Sequence, residues 1–257
     1  MMKISKYYFC ILLPFILFIN TLSSQISYIK KVNWVSYFQG DTLQKFEKTV
    51  SKTGSLGIEL RDINEKELLE IIKIIKPYKP IALSIESRDG KIPKSLYSLV
   101  ELEYLAISKW NIKELSKNII KLKKLKYLSI IKSTVQDVSN LKELQLLELT
   151  LMDNKDLKVE SIEKALLNNK SIKMLSLRRQ HLQEVPSFIF SLKSLEKIDL
   201  TENELTEISS LLKMKTLTEI AVGRNYNLSD KEFLKTVKKP KIHFDSANPD
   251  GWSWEND

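Results

Sequence analysis

The sequence is poor in the residues that bind metals or form disulfides: it contains one cysteine and two histidines in 257 residues. Neither His181 nor His243 has a partner at a metal-ligand spacing, and a metal site needs several converging ligands. Glycine (six) and proline (seven) are scarce as well, which excludes collagen-like and low-complexity material. No nucleophile-elbow, phosphate-loop, HExxH or dinucleotide-binding motif is present. We therefore predict a protein without enzymatic activity, cofactor or metal.

The overall composition is that of a folded chain with a basic excess. Hydrophobic residues make up 43% and charged residues 28% of the sequence, which excludes a disordered chain and a polytopic membrane protein. The 41 Lys and Arg residues exceed the 32 Asp and Glu residues. The lysines are dispersed, however, and those of 121–126 alternate with core leucines. Without a recognised reading element, these charges do not predict nucleic-acid binding.

The N-terminus has the order of charge and hydrophobicity of a secretory signal peptide. Lys3 and Lys6 precede an apolar run of 13 residues over 7–19, and small polar residues follow at 21–25. The run is shorter than the roughly 18 residues that span a bilayer. We predict a signal peptide over 1–24, with an uncleaved signal anchor as the alternative. Because Cys10 lies inside the apolar run, a lipoprotein is not expected, and the mature chain has no cysteine and no integral membrane span.

A short pattern recurs through most of the remaining chain. Its clearest copy, residues 195–205, reads LEKIDLTENEL, with apolar residues at positions 1, 4, 6 and 11 and asparagine at position 9. Apolar residues two apart predict a strand that buries one face, and the wider spacing that follows predicts a short helix or 3₁₀ segment. One unit cannot bury that face alone, so the units are expected to stack. Copies begin at Ser55, Pro80, Leu102, Leu125, Leu144, Ile172, Leu195, Leu217 and Lys239.

This phased pattern resembles the leucine-rich repeat family, and residues 183–195 (QEVPSFIFSLKSL) are similar to the second half of a bacterial-type repeat. The resemblance implies an α/β solenoid, a horseshoe with a concave parallel sheet and a convex side of helices and 3₁₀ segments. We expect an N-terminal helical cap over 25–54, repeats over 55–246 and a C-terminal tail over 247–257. The tail, with its two tryptophans, either folds over the last repeat or is available to a partner.

The turns and helix starts are expected to vary between units. Family repeats use the asparagine at position 9 to satisfy backbone groups of the turn, but here only Asn203 and Asn225 are expected in register. The unit beginning at Leu144 is long enough for a larger helix. Four helix starts are predicted from capping residues: Asp41 with Gln44, Asn64 with Glu67, Ser161 before Ile162, and Ser229 with Glu232.

The residues at position 3 are expected to form a column on the solvent-facing side of the concave sheet, because side chains alternate along a strand. Position 5 stays small, which leaves room beside this column. Ile131 adds apolar surface, and basic residues flank the sheet. The predicted binding surface comprises Tyr104, Tyr127, Leu146, Met174 and Ile131, flanked by Lys109, Lys132, Arg178 and Arg179.

Large apolar side chains rimmed by cations are typical of a protein interface, although neighbours on a sheet also pack on each other without any ligand. We interpret the chain as a non-enzymatic binding module that is secreted, periplasmic or on the cell surface. Its concave face is expected to bind a protein or peptide, and a glycan also suits tyrosines beside small residues. The alternative is a structural envelope protein whose repeats mediate self-association or anchoring.

Overall fold

A computed structural model describes residues 32–38, 41–52 and 56–244. The predicted signal peptide (1–24), the start of the predicted cap, and the tail over 247–257 with Trp252 and Trp254 lie outside the described residues. Within the described ranges, no helix is long and apolar enough to cross a membrane.

The strands form one parallel sheet in which every strand pairs with its neighbours in chain order. This arrangement confirms the predicted solenoid. The strands are β1 (Asn33–Tyr37), β2 (Leu56–Ile63), β3 (Ala82–Ser87), β4 (Tyr104–Ser108), β5 (Tyr127–Ile131), β6 (Glu148–Met152), β7 (Met174–Ser176), β8 (Lys197–Asp199), β9 (Glu219–Ala221) and β10 (Lys241–His243).

Helices and 3₁₀ segments return the chain from one strand to the next. The α-helices are α1 (Leu43–Val50), α2 (Glu65–Ile75), α3 (Val159–Leu166) and α4 (Lys231–Leu234). The 3₁₀ segments are Lys76–Tyr78, Lys94–Ser98, Lys117–Lys121, Ser139–Glu143, Ser187–Ser191 and Ser209–Lys213.

The core lies between the sheet and these returning segments. Strand residues at positions 4 and 6, such as Leu105 and Ile130, are fully buried. They pack in one continuous cluster with apolar residues of the 3₁₀ segments, such as Ile119 and Ile189. Each repeat thus contributes a strip of core that only its neighbours can cover, as expected for a solenoid.

The N-terminal segment differs from the predicted helical cap, because it contains a strand as well as a helix. β1 pairs in parallel with β2 and extends the sheet by one strand beyond the predicted repeats. The α1 helix follows, with Phe46 and Val50 buried. The predicted cap at Asp41 is wrong by one residue: the hydroxyl of Thr42 caps the helix by accepting the Lys45 N–H at 3.4 Å.

The capping box at the start of α2 is confirmed. The Asn64 carboxamide accepts the Glu67 N–H at 2.9 Å, and the Glu67 carboxylate accepts the Asn64 N–H at 3.0 Å. Because this box fixes the first turn, Leu68, Ile71 and the other apolar residues of α2 face the core.

The two other predicted helix starts are wrong in position. The long unit does contain helix α3, but it begins after Lys158, and Ser161 lies inside it, where its hydroxyl donates to the Lys158 carbonyl at 2.7 Å. The last helix, α4, begins after Asp230 rather than at Ser229. In both cases the predicted N-cap is a serine that lies close to the N-terminus of the helix. Serine is favoured at N-caps, but its presence does not determine which residue caps the helix.

A left-handed residue ends most of the strands. The N–H of this residue extends the sheet by one hydrogen bond to the next repeat: Lys109 donates to the Ile131 carbonyl at 3.1 Å, and Lys132 to the Met152 carbonyl at 2.9 Å. The chain then leaves the sheet. The residues that adopt positive φ at this position, which is position 8 of the repeat, are Lys109, Lys132, Asp153, Arg179, Glu202 and Arg224, whereas Asp62 adopts it inside β2.

Buried asparagine side chains satisfy the backbone of the turns that follow. The Asn203 carboxamide donates to the carbonyls of Leu177 (2.9 Å) and Leu200 (2.8 Å) and accepts from the N–H groups of Gln180 (2.9 Å) and Leu182 (3.1 Å). It therefore joins two adjacent turns.

A third asparagine occupies the same place, contrary to the expectation that only Asn203 and Asn225 fall in register. Asn154 donates to the Ile130 carbonyl at 2.9 Å and accepts the Ser133 N–H at 3.0 Å. Other residue types substitute elsewhere, since the Ser133 hydroxyl accepts the Trp110 N–H at 2.9 Å. The predicted variation between turns is therefore real but smaller than expected.

We expect Asn203→Ala to lower the free energy of unfolding by at least about 2 kcal/mol, because a buried backbone group left without a partner costs about 1–3 kcal/mol. Chemical denaturation followed by circular dichroism measures the change. Asn227→Ala is the matched control, since Asn227 is exposed and its loss should change the stability little. Equal stability of both variants would show that the side-chain amide is dispensable.

Candidate functional site

The position-3 residues of the ten strands form one column along the concave side. From β1 to β10, the paired residues of this column are Trp34, Gly57, Ala82, Tyr104, Tyr127, Glu148, Met174, Lys197, Glu219 and Lys241. The first half of the column is apolar and aromatic, and its second half is dominated by charged residues. The column confirms the predicted alignment of Tyr104, Tyr127 and Met174.

The prediction that Leu146 belongs to this column is wrong. Glu148 pairs with both Tyr127 and Met174, whereas Leu146 is fully buried in the core. The repeat begins at Leu146 rather than Leu144, so the predicted frame was two residues early. The asparagine at 154 was the signal that could have corrected it, because the right frame places it at position 9.

An aromatic patch, which we define as Trp34, Tyr104 and Tyr127, covers the N-terminal half of the concave side. The rings of Trp34 and Tyr104 meet edge to face, with 6.1 Å between centroids. Tyr104 and Tyr127 are direct neighbours on β4 and β5. Trp34 and Tyr127 are half-buried, so the patch presents two aromatic side chains at its surface.

The Trp34 ring lies directly over Gly57. A Cβ atom at position 57 would come within 2.9 Å of the Trp34 ring and 2.5 Å of Val32. The glycine therefore makes the close approach possible, and any side chain there would displace the tryptophan. The sequence pattern assigns Trp34 to the cap and does not reveal its contact with the column.

Tyr104 does not face solvent, contrary to the sequence prediction. It is fully buried and packs with Val32, Ala82 and Ala106, beside Trp34 and Tyr127. Burial raises the pKa of the Tyr104 phenol well above its ordinary value, and nearby Glu148 and Glu59 raise it further. Tyr104 is thus a neutral side chain that supports the patch from below.

Tyr127 keeps its proton for similar reasons. Burial, followed by the negative charges of Glu148 and Glu103, raises the pKa of its phenol. Since Tyr127 is half-buried, it offers a ligand an aromatic ring together with a neutral hydroxyl, which is the combination favoured at protein interfaces.

A strip of small residues runs beside the column at position 5, as predicted. From β3 to β7 these residues are Ser84, Ala106, Ser129, Thr150 and Ser176. Acidic residues follow at both ends of the strip: Glu59 accepts the Ser36 hydroxyl at 2.8 Å, and Asp199 accepts the Ser176 hydroxyl at 3.0 Å. Within the strip, no large side chain lies next to the aromatic patch.

Several residues of the predicted binding surface and its flanks, namely Ile131, Met174 and Arg178, are less accessible than the sequence suggests. Ile131 and Met174 are 6% and 4% exposed. Lys109 and Lys132 are both exposed as predicted, and Lys109 forms an ion pair with Glu86. The linear sequence does not show which acidic residue of a neighbouring strand pairs with each basic residue. For this reason the sequence alone indicated a rim of cations.

Arg178 and Arg179 converge on one carboxylate. The Arg178 Nε donates to Glu202 Oε1 at 2.9 Å, and the Arg179 Nε to Oε2 at 2.5 Å. The Arg178 side chain is only 6% exposed and that of Glu202 is 11% exposed. Burial by itself would raise the pKa of Glu202, but the hydrogen bonds and charges of the two arginines outweigh it and lower the pKa below 4.5.

The described residues contain no group of three or more His, Cys, Asp or Glu side chains that could hold a metal ion. The concave side instead combines an aromatic patch, a strip of small residues and a charged C-terminal half. Such a surface can bind a ligand by packing and hydrogen bonding.

We expect Tyr104→Ala to destabilise the protein by about 3–5 kcal/mol, the usual cost of truncating a buried aromatic residue. Tyr127→Ala should cost much less, because its side chain is half-buried. Thermal melting of both variants measures the difference. Equal melting temperatures would contradict the assignment of Tyr104 to the support of the patch.

We also expect the stability to fall in acid through Glu202. Its lowered pKa means that its contribution is fully present above about pH 4.5 and is lost as the pH falls through the native pKa. Urea denaturation between pH 6 and pH 3 should show this loss. Glu202→Gln should be less stable at pH 6, since Arg178 stays buried without its counter-ion, and should lose less stability on acidification than the parent protein.

Known proteins share both the repeat and the fold. Residues 170–226 match the family model described as leucine rich repeat. The volume-regulated anion channel subunit LRRC8E of Xenopus tropicalis is 32% identical over 145 residues, which cover 52% of this chain. The chain spans 17% of that subunit's length.

Among solved structures, internalin InlF of Listeria monocytogenes aligns with a TM-score of 0.52 at 15% identity, covering 85% of this chain and 68% of that one. The Toll–Spatzle complex of Drosophila aligns at 0.56 and 15% identity, covering 75% and 31% of the two chains. A leucine-rich repeat protein of Leptospira interrogans aligns at 0.50 and 20% identity, covering 80% and 58%. These identities show a shared fold, the leucine-rich repeat solenoid, and residues 170–226 also match the sequence pattern of that repeat.

Proposed function

We propose that this protein is a non-enzymatic binding module that recognises a protein or peptide ligand on its concave face. The aromatic patch is the observation that carries the proposal. Trp34 and Tyr127 offer aromatic surface on a sheet whose backbone is fixed by hydrogen bonds to neighbouring strands. A preformed surface of this kind binds with little ordering cost, and tryptophan and tyrosine are enriched among the residues that contribute most to protein binding.

The rest of the concave face suits a ligand that is partly apolar and partly charged. The strip of small residues leaves space beside Tyr127, so that a ligand can reach the ring from the side. Farther along, Lys197 and Glu219 form an ion pair at 2.6 Å, and the surface becomes polar. An extended ligand would therefore meet the aromatic patch at one end and charged side chains at the other.

The proposal includes a location of the protein outside the cytoplasm. It is supported by the charged start and short apolar run of residues 1–24, and by structural neighbours such as the Toll–Spatzle complex, in which a protein of this fold is complexed with another protein. We propose that the chain is secreted, periplasmic or on the cell surface, and that its ligand is a protein of the same compartment.

Self-association is the alternative function, and one observation favours it. Within the described residues, β1 and β10 each pair on one side only. A strand at the end of a sheet can pair with a strand of another chain. In that case the repeats would mediate assembly or anchoring of a structural envelope protein rather than recognition of a different partner.

A photo-crosslinking amino acid at position 127 tests the proposal. The full chain carrying it is incubated with the secreted and envelope proteins of the native organism and then irradiated. The matched control carries the same group at Tyr226, which is 88% exposed and lies in the turn after β9. We expect a distinct protein to be crosslinked at 127 and not at 226.

The captured protein is then purified and its affinity measured. We expect Tyr127→Ala to weaken binding about 30-fold, which corresponds to a hot-spot loss of about 2 kcal/mol, with the melting temperature nearly unchanged. Tyr226→Ala should bind like the parent. Crosslinks from 127 to a second copy of this chain would favour self-association, and full-strength binding by Tyr127→Ala would contradict the proposed face.

A further inference from the structure

Three arginines surround a single carboxylate where strands β7, β8 and β9 end. Arg178 and Arg179 follow β7, Glu202 follows β8 and Arg224 follows β9. Arg178 and Arg179 donate hydrogen bonds to Glu202, and Arg224 Nη1 lies 3.6 Å from Glu202 Oε2. We call these four residues the arginine cluster. Three positive charges and one negative charge leave it with an excess of two.

The members of the arginine cluster have different roles. Arg178 and Glu202 are nearly buried, and their ion pair holds the centre together. The side chains of Arg179 and Arg224 are 37% and 40% exposed. Within the described part of the chain, the Arg179 guanidinium donates a hydrogen bond only through its Nε. The Arg224 guanidinium makes the 3.6 Å ion-pair contact with Glu202 and no hydrogen bond. Their remaining N–H groups are therefore available to a ligand.

Arg179 and Arg224 are close enough for both to contact one small anionic group. Both contact the same Glu202 oxygen, at 2.5 Å and 3.6 Å, so the contacting nitrogens lie within about 6 Å of each other. Guanidinium groups present planar N–H pairs that match the two oxygens of a carboxylate. The cluster already holds one carboxylate, because Arg178 donates to Oε1 of Glu202 and Arg179 donates to Oε2.

The charge of the concave side changes along the solenoid and points to the same ligand. Basic residues exceed acidic ones over β7–β10, where Arg178, Arg179, Lys197, Arg224 and Lys241 face Asp199, Glu202 and Glu219. Over β2–β4 the acidic residues Glu59, Asp62 and Glu86 exceed Arg61 and Lys109. A ligand lying along the face would be favoured with its acidic part at the C-terminal half.

We propose that Arg179 and Arg224 bind the carboxylate of an aspartate or glutamate side chain in the protein ligand. This inference rests on the proposed function, since it assigns the acidic part of the ligand to the end of the concave face that lies away from the aromatic patch. Arg178 acts as a positioning residue, because it fixes Glu202 and thereby the two exposed arginines.

The test uses the full chain and short peptides as probes. Ac-Gly-Glu-Glu-Gly-NH₂ is titrated against the protein, and Ac-Gly-Gln-Gln-Gly-NH₂ serves as the uncharged control. The readout is the ¹⁵N NMR signals of the arginine Nε–H groups, assigned with the variants Arg179→Gln and Arg224→Gln. We expect the signals of Arg179 and Arg224 to shift with the glutamate peptide and to stay in place with the glutamine peptide.

Each of these variants should weaken binding of the glutamate peptide about tenfold, as expected for the loss of a charge-assisted hydrogen bond. Arg179→Lys should recover part of the affinity, because it keeps the charge without the planar N–H pair. The matched control is Arg88→Gln, which removes an ion-paired arginine near the other end of the solenoid and should leave binding unchanged. Melting curves identify any variant that has lost its fold.

Other outcomes overturn the proposal. Shifts with inorganic phosphate or sulfate but not with the glutamate peptide would identify a site for phosphorylated or sulfated ligands instead. If Arg88→Gln weakened binding of the glutamate peptide as much as Arg179→Gln does, the effect would come from the net charge of the protein and not from the arginine cluster. The proposed function fails separately: it is contradicted when the crosslinker at position 127 captures no distinct protein, whether or not the peptide shifts Arg179 and Arg224.

Discussion

The stacking of each repeat on the next in strict register is the constraint on which the rest of the structure depends. A single strand and its return segment bury too little apolar surface to be stable, so the core exists only between repeats. Register requires that the chain leave every strand at the same point. The left-handed residue at position 8 meets this requirement, because it adds one last bond to the sheet and turns the backbone away. Lysine, arginine and glutamate occupy this position in several repeats although an L-residue prefers other backbone conformations, and the repeated hydrogen bond offsets that preference.

Register also converts the sequence into columns, which explains how much of the fold could be predicted. Apolar residues two apart predict the strands, and their recurrence predicts the solenoid, because this spacing reports burial directly. The prediction of the binding surface depends more strongly than that of the fold on the exact residue at which each repeat begins. A frame two residues early at Leu144 placed Leu146 on the surface and left out Glu148, which is the residue that interrupts the apolar half of the column.

The sequence could not predict which residues of a column are accessible, because this depends on side chains from distant strands. Tyr104 and Tyr127 occupy equivalent positions, yet Tyr104 is fully buried beside the Trp34 ring of β1, whereas Tyr127 is only half-buried. That contact requires Gly57, whose missing side chain leaves room for the indole ring. The aromatic patch of β1, β4 and β5 thus depends on a glycine of β2 that lies outside the patch and contributes no side chain to it.

Register also separates the charges that pair across repeats from the excess charge of the arginine cluster. Many basic residues pair with an acidic residue of the adjacent repeat: Lys109 with Glu86, Lys124 with Glu101, Lys126 with Glu103, and Lys173 with Glu196. Register brings such partners together about one repeat apart in the chain, and exposed pairs of this kind contribute little to stability. They do neutralise much of the surface. A basic excess that is diffuse in the linear sequence therefore becomes localised in the folded chain where register brings three arginines to one carboxylate, and a local excess of charge attracts a ligand more strongly than a dispersed one.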